Sequence, residues 1–248
     1  MSQTTQESSI AAQLRDDILR GQYRCGERLP SERDLAERFG VHRSTIRSAF
    51  KRLEQLGIAD IRPGGARVSP LDEASLDILD PMLALDDPPD AVLVDQTLEV
   101  MTGFLAHAAR LGTERAKEPA RTNLIDLLDE MISTTPTTEQ RGALLGLLSA
   151  QFTAAANNPV LKLMRHSLRT RYSDYVIPNN QQRTASHAET KPHLMRLQIA
   201  VRERNGADAS EAIYGLTGLF RSAIWHALDG EPVKNEQEHG TRPTGVAL

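Results

Sequence analysis

The chain has 248 residues, 40% of them hydrophobic and 25% charged, with a formal net charge of −4. That balance suits a soluble globular chain with room for two small domains or one large one; it excludes a uniformly basic protein, and no apolar run approaches the roughly 20 residues of a membrane span. A single cysteine, Cys25, excludes an internal disulfide, and the opening MSQTTQESSI lacks the basic and apolar regions of a secretory signal, so a reducing cytoplasm is the expected setting.

Charge is unevenly spread. Residues 1–69 hold 12 Lys and Arg against 9 Asp and Glu, a balance of +3, while the remainder holds 17 against 24, a balance of −7. A polyanionic partner would therefore be met by the front of the chain.

Ile10, Leu14, Ile18 and Leu19 recur at helical spacing, and the helix they predict ends in the turn Arg20-Gly21-Gln22. Ser31 is placed as an N-cap, with Asp34 three residues on, so a second helix is expected through about Phe39. Gly40 breaks it. A third helix follows, with Ile46, Phe50 and Leu53 on one face, and the pair reads as a helix-turn-helix. Residues 58–62 read as a short strand, Pro63-Gly64-Gly65 as a turn and Ala66-Arg67-Val68 as the returning strand, which together make a wing.

A recognition helix needs polar, hydrogen-bonding and partly cationic side chains near its N-terminus while its other face packs inward. Arg43 and Arg47, four residues apart, share one face and suit a forked contact to guanine or a grip on phosphate. His42, Ser44 and Thr45 offer further donors, Arg33 near the start of the preceding helix is placed for a backbone or groove contact, and Arg67 lies in the basic flank of the wing. Arginines on a helix more often mark nothing beyond a solvated face; here the hairpin at the right distance raises the functional reading.

Residues 70–75 read as a linker, after which strand signals cease. Helices are expected at about 74–86, 90–111, 119–133, 138–156, 159–175, 184–204 and 208–228, punctuated by Pro89, Pro136, Asn157-Asn158-Pro159 and Asn205-Gly206. The expected organisation is a winged head over 1–69, an all-helical domain over 76–229 and, at 230–248, a polar disordered tail. The fold class is thus mainly α: a winged helix-turn-helix of three helices and a small β-hairpin, then an antiparallel helical bundle.

The stretch from Leu14 to Val68, with LPSER at 29–33 followed by Leu35-Ala36, and Val41-His42-Arg43-Ser44-Thr45-Ile46-Arg47, resembles the DNA-binding domain of the GntR transcriptional regulators over its full length. The resemblance implies DNA contacts at Arg33, His42, Arg43, Ser44 and Arg47, with the wing tip at Gly64 and Gly65. His42 stands where many relatives have Ser or Thr, which bears on base preference at that contact.

An all-helical second domain implies the FadR branch of that family. Its commoner kind holds a metal with an Asp and three His, and binds small carboxylates through it. Here Ser149 and Thr153 stand at the Asp and first His positions, leaving His193 alone, so no metal is expected. The other kind binds long-chain acyl-CoA without metal. It is resembled by Ser75-Leu76-Asp77-Ile78-Leu79, Leu83-Ala84-Leu85-Asp86, Asn158-Pro159, Leu168-Arg169-Thr170-Arg171 and Ala223-Ile224-Trp225-His226. This implies an effector site at Met101, Arg169, Arg171, Tyr172, Gly218, Arg221 and Trp225, with Met101 standing where those relatives carry a buried Arg. Trp225 reads equally well as a core aromatic. The expected partners are a palindromic DNA operator, an acyl-CoA-like effector and a second copy of the chain, with no membrane and no cofactor. The alternatives are a metal-bound small carboxylate as effector or an empty, degenerate pocket. No phosphate loop or nucleophile elbow appears, so an enzyme is not expected.

Overall fold

The computed structural model describes residues 3–176 and 185–228, the side chains of residues 3–5, 138, 139, 168–176 and 227 excepted. The tail expected over 230–248 lies outside the described residues. The chain divides into two compact units, one ending at Asp87 and the other beginning at Pro88.

The first unit opens with α1 (Gln3–Leu19), α2 (Glu32–Phe39) and α3 (Arg43–Gln55). The helix α1 starts several residues ahead of its first core residue, Ile10, and its leading polar stretch is tied to α3 where Arg52 Nε donates to Glu7 Oε1 at 2.9 Å. Ser31 caps α2 as its sequence predicts, its Oγ accepting from the Asp34 backbone N at 3.2 Å. Gly40 ends α2 in the left-handed region at φ 63°, where a side chain would be strained. Leu14, Leu35, Ile46, Leu53 and Ile58 are fully buried between the helices and the wing.

The wing pairs β1 (Ala59–Arg62) with β2 (Gly65–Val68), antiparallel, with Ala59 opposite Val68 and Arg62 opposite Gly65. Its turn is therefore the two residues Pro63-Gly64, one fewer than the sequence suggests, and Gly65 belongs to the strand. The preceding segment adds a third rung: Gly26 N donates to Val68 O, Val68 N to Glu27 O and Leu29 N to Ala66 O, each at 2.9 Å.

The segment read as a linker and as the opening of the second domain belongs instead to the first unit. Residues 71–73 and 76–78 form single 3-10 turns, leading into the short α4 (Leu79–Leu83). Ile78 is buried in the core of the head, with Leu71, Ala74, Met82 and Leu85 packed against it. Ser75 N donates to Leu56 O at 2.9 Å and Arg20 Nη2 to Leu85 O at 2.8 Å. Its apolar residues thus have a surface to cover before the bundle begins, which a helix-period reading of 74–86 cannot reveal.

The second unit comprises α5 (Ala91–Arg115), α6 (Glu118–Ser133), α7 (Thr138–Ala155), α8 (Pro159–Val176), α9 (His187–Glu203) and α10 (Gly206–Ala227). Their bounds agree with the expected helices to within four residues at each end. Phe152, Leu124, Leu128, Leu148, Leu197 and Ile213 form its buried apolar interior. The helices α5 and α10 pack most extensively. Where α5 passes α7, a Cβ on Gly112 would stand 2.6 Å from Phe152 O, so glycine there permits a contact no side chain would allow.

Candidate nucleic-acid interface and effector domain

Three elements present the expected DNA-reading residues. His42 is the N-cap of α3 and makes no side-chain capping bond, so its exposed imidazole is not spent on the helix end. Arg43, Ser44 and Arg47 are exposed along the first turns of α3, and Arg33 is exposed in the first turn of α2. Thr45 departs from expectation. It is only 4% exposed, placed on the inward side with Ile46 and Ala49, so its hydroxyl is not part of the open row.

Two of the three arginines of this row, Arg33 and Arg47, are held by acids of α2. Arg33 Nε donates to Asp34 Oδ1 at 3.3 Å. Arg47 meets Glu32 in a fork, Nε to Oε1 at 3.0 Å and Nη2 to Oε2 at 2.8 Å. The hydrogen bond from Arg47 holds the Glu32 carboxyl below its ordinary value, with the charges of Arg47 and Arg43 adding to it, and the same bond raises the Arg47 guanidinium. Glu32 was not among the residues singled out in the sequence, where a glutamate at the start of a helix reads as a favourable partner of the helix dipole.

The wing is braced from an unexpected position. Arg28 Nη2 donates to the Gly64 carbonyl, and a Cβ on Gly65 would stand 2.9 Å from Arg28 Nε. The two glycines therefore differ in role. Gly64 is the exposed tip at φ 110°, whereas Gly65, at φ 128°, leaves space for the Arg28 side chain. Arg67 is exposed on β2 and donates from Nη1 to Gly26 O at 2.9 Å.

In the second unit, α5 carries Met101 and α10 carries Gly218, Arg221 and Trp225. Met101 is half-buried, and Gly218 is exposed with open space beside it. Arg221 is committed within the protein: Nε donates to Asp95 Oδ1 at 2.9 Å and Nη2 to Asp95 Oδ2 at 2.7 Å, with Glu99 3.5 Å away. The bonds to Asp95 raise its pKa further. Trp225 is half-buried, and its indole Nε1 is buried without a hydrogen-bond partner. A buried donor without an acceptor is uncommon and calls for a partner. The side chains of Arg169, Arg171 and Tyr172 lie outside the described residues.

Ser149 and Thr153 stand at two of the expected metal positions, where an Asp and a His would be the stronger ligands. Thr153 is buried and its Oγ1 donates to the Ser149 backbone carbonyl at 2.7 Å, one helix turn back. His193 packs against Gly215, with no room for a side chain there. Among the described residues no three His, Cys, Asp or Glu side chains converge as a metal set. Among the same residues no helix is long and apolar enough to cross a membrane.

Comparison with known proteins gives two family matches. Residues 6–68 match the bacterial regulatory proteins, gntR family, and residues 96–217 match the FCD domain. The chain is 35% identical over 132 residues to the HTH-type transcriptional regulator Mce2R of Mycobacterium tuberculosis, a match spanning 52% of this chain and 53% of that one. It is 28% identical over 210 residues to the fatty acid metabolism regulator protein of Haemophilus influenzae, spanning 82% of this chain and 83% of the relative. Among solved structures, Lar of Listeria monocytogenes aligns with a TM-score of 0.51 at 17% identity, over 89% of this chain and 96% of that one, a likeness of fold.

Proposed function

The chain belongs to the GntR family of bacterial regulatory proteins and carries an FCD domain behind its winged head, and from that premise we propose that it is a homodimeric repressor released from its operator by a long-chain acyl-CoA or a related fatty-acid derivative. The observation that carries the DNA-binding half is the exposed row Arg33, His42, Arg43, Ser44 and Arg47, presented by the helix-turn-helix beside a glycine-tipped wing. In this reading α3 enters the major groove, the wing lies on the adjoining minor groove, and the two-fold symmetry of the dimer makes the operator a short palindrome.

The effector half is supported by the likeness to fatty acid metabolism regulators and by the orphaned Trp225 indole N–H, a donor that a ligand carbonyl or phosphate oxygen would satisfy. Arg221, expected as an effector contact, is the weaker candidate because Asp95 already takes its fork. Ligand binding then lowers DNA affinity through a coupling free energy between the two sites. Nothing in this mechanism requires bond making, and the protein acts by binding alone.

Fluorescence anisotropy on an operator selected from random duplex tests both halves. Acyl-CoA is expected to release the protein, while citrate with a divalent metal leaves the complex intact. Release by the metal–citrate mixture alone would overturn the effector assignment, and failure to enrich any duplex would overturn the DNA-binding one.

A further inference from the structure

The Glu32–Arg47 fork lies on the face that reads DNA, although an acid there works against binding a polyanion. A carboxylate among phosphates adds repulsion and cancels one cation that could release counterions. Its geometry is nevertheless well made: two near-parallel N–H···O bonds from one guanidinium to one carboxylate, joining the first turn of α2 to the second turn of α3. The carboxylate side chain is 30% exposed and the guanidinium 63%, so the pair is fixed from the protein side and open from the other.

We infer that Glu32 is a specificity-determining residue that acts through Arg47. Two effects follow from the fork. It fixes the long Arg47 side chain in one geometry, so less rotamer freedom is lost when a base edge or phosphate in the correct register is engaged. It also compensates the Arg47 charge, so arbitrary phosphate backbone gains less from that residue. Together these raise the ratio of specific to non-specific affinity rather than affinity itself, which is the quantity a genome-searching protein depends on. Arg43, which acts on Glu32 through space, is left as the less compensated cation of the pair. Nε and one Nη2 hydrogen of Arg47 are taken by Glu32, so the Nη1 edge of the fork is the part offered to DNA.

The inference rests on the DNA-binding reading, and its test separates the two. Wild type, Glu32→Gln, Glu32→Asp, Arg47→Gln and the Glu32→Gln/Arg47→Gln pair are titrated with the selected operator and with random duplex over a range of salt, with circular dichroism verifying that each is folded. Glu32→Gln removes the charge while keeping a hydrogen-bond acceptor. It is expected to bind random duplex about fivefold more tightly at low salt, with a salt slope steeper by about 0.9, while operator affinity does not rise in step, so the specificity ratio falls. Glu32→Asp keeps the charge but shortens the reach. It is expected to leave random-duplex affinity near wild type and to weaken operator binding.

In the Arg47→Gln background, Glu32→Gln is expected to lose most of its effect on the ratio. An unchanged ratio in Glu32→Gln, or an equal effect with and without Arg47, overturns the inference while leaving the DNA-binding reading intact. Absence of binding by the wild type to either duplex overturns the reading itself.

Discussion

Arg221 of α10 and Asp95 of α5 are joined by two parallel hydrogen bonds, 2.9 and 2.7 Å long, across the helix pair with the most extensive packing in the second unit. Both side chains are about a quarter exposed, at 29% and 24%, which leaves the pair only partly screened by water. Arg221 therefore reads first as a clamp between helices.

The clamp has a measurable consequence. Arg221→Ala and Asp95→Asn are each expected to destabilise the protein by about 1–2 kcal/mol, with a coupling of about 1 kcal/mol in the double-mutant cycle read from urea unfolding. If Arg221 instead contacts the effector, its replacement will weaken ligand release of DNA with little change in unfolding midpoint.

Removing the arginines of α3 should separate positioning from reading. Arg43→Ala and Arg47→Ala are each expected to cost about 1–3 kcal/mol of operator affinity if they contact bases, and to relax preference at one operator position. A purely phosphate-bound arginine would weaken all sequences alike and lower the salt slope, which binding isotherms at several ionic strengths distinguish.

Gly112→Ala places a methyl group where Phe152 O stands, 2.6 Å from the added carbon. Helix backbones cannot yield there without displacing the core around Phe152. The expected loss is about 1–3 kcal/mol, seen in chemical denaturation of the second unit, with DNA binding at saturating protein preserved.

The only tryptophan in the chain is Trp225. A ligand that accepts from its buried indole N–H must change the environment of the ring, so titration with acyl-CoA is expected to shift or quench intrinsic fluorescence, saturating at the concentration that releases DNA. Fluorescence that remains constant while DNA is released would remove Trp225 from the site.

Acid should act on the start of α9. Glu189 and Ser186 form a reciprocal cap, with Glu189 Oε2 accepting from Ser186 N at 2.7 Å and Oγ at 2.6 Å, and these bonds hold the carboxyl below its ordinary 4.5. A carboxylate with a lowered folded pKa contributes stability that is present above its unfolded pKa and disappears as pH falls through the folded one. Stability should thus decline as pH drops from about 4.5 downward, and Glu189→Gln should flatten that part of the profile in thermal melts taken at successive pH values.

Much of this architecture is legible in the amino-acid order because local chemistry and packing agree. Ser31, Gly40 and the Ile46, Phe50, Leu53 stripe place the helix-turn-helix, and Asn205-Gly206 marks the start of α10. What escaped the reading depends on contacts distant in sequence. Thr45 looks like another outward donor until the packing of α3 turns it inward; Glu32 looks like a dipole partner until Arg47, fifteen residues on, folds back to it. Arg28 reaches the wing across thirty-six residues. The segment from Leu71 to Leu85 is ambiguous for a related reason: its apolar residues fit a helix stripe, and only the surface left open by Leu56 and its neighbours shows where they go.

That segment makes the head a two-piece closure. Gly57, at φ 74°, lies under it, and a Cβ there would press at 3.0 Å on both Ala74 Cα and Glu73 O. With Ile78 seated in the interior of the head, the run Asp86-Asp87-Pro88-Pro89-Asp90, whose adjacent prolines resist coiling, begins only after Leu85. A substitution between Leu71 and Leu85 is consequently an injury to the core of the DNA-binding unit itself, and shortening the chain there would unseat the head where a mere spacer would tolerate the cut.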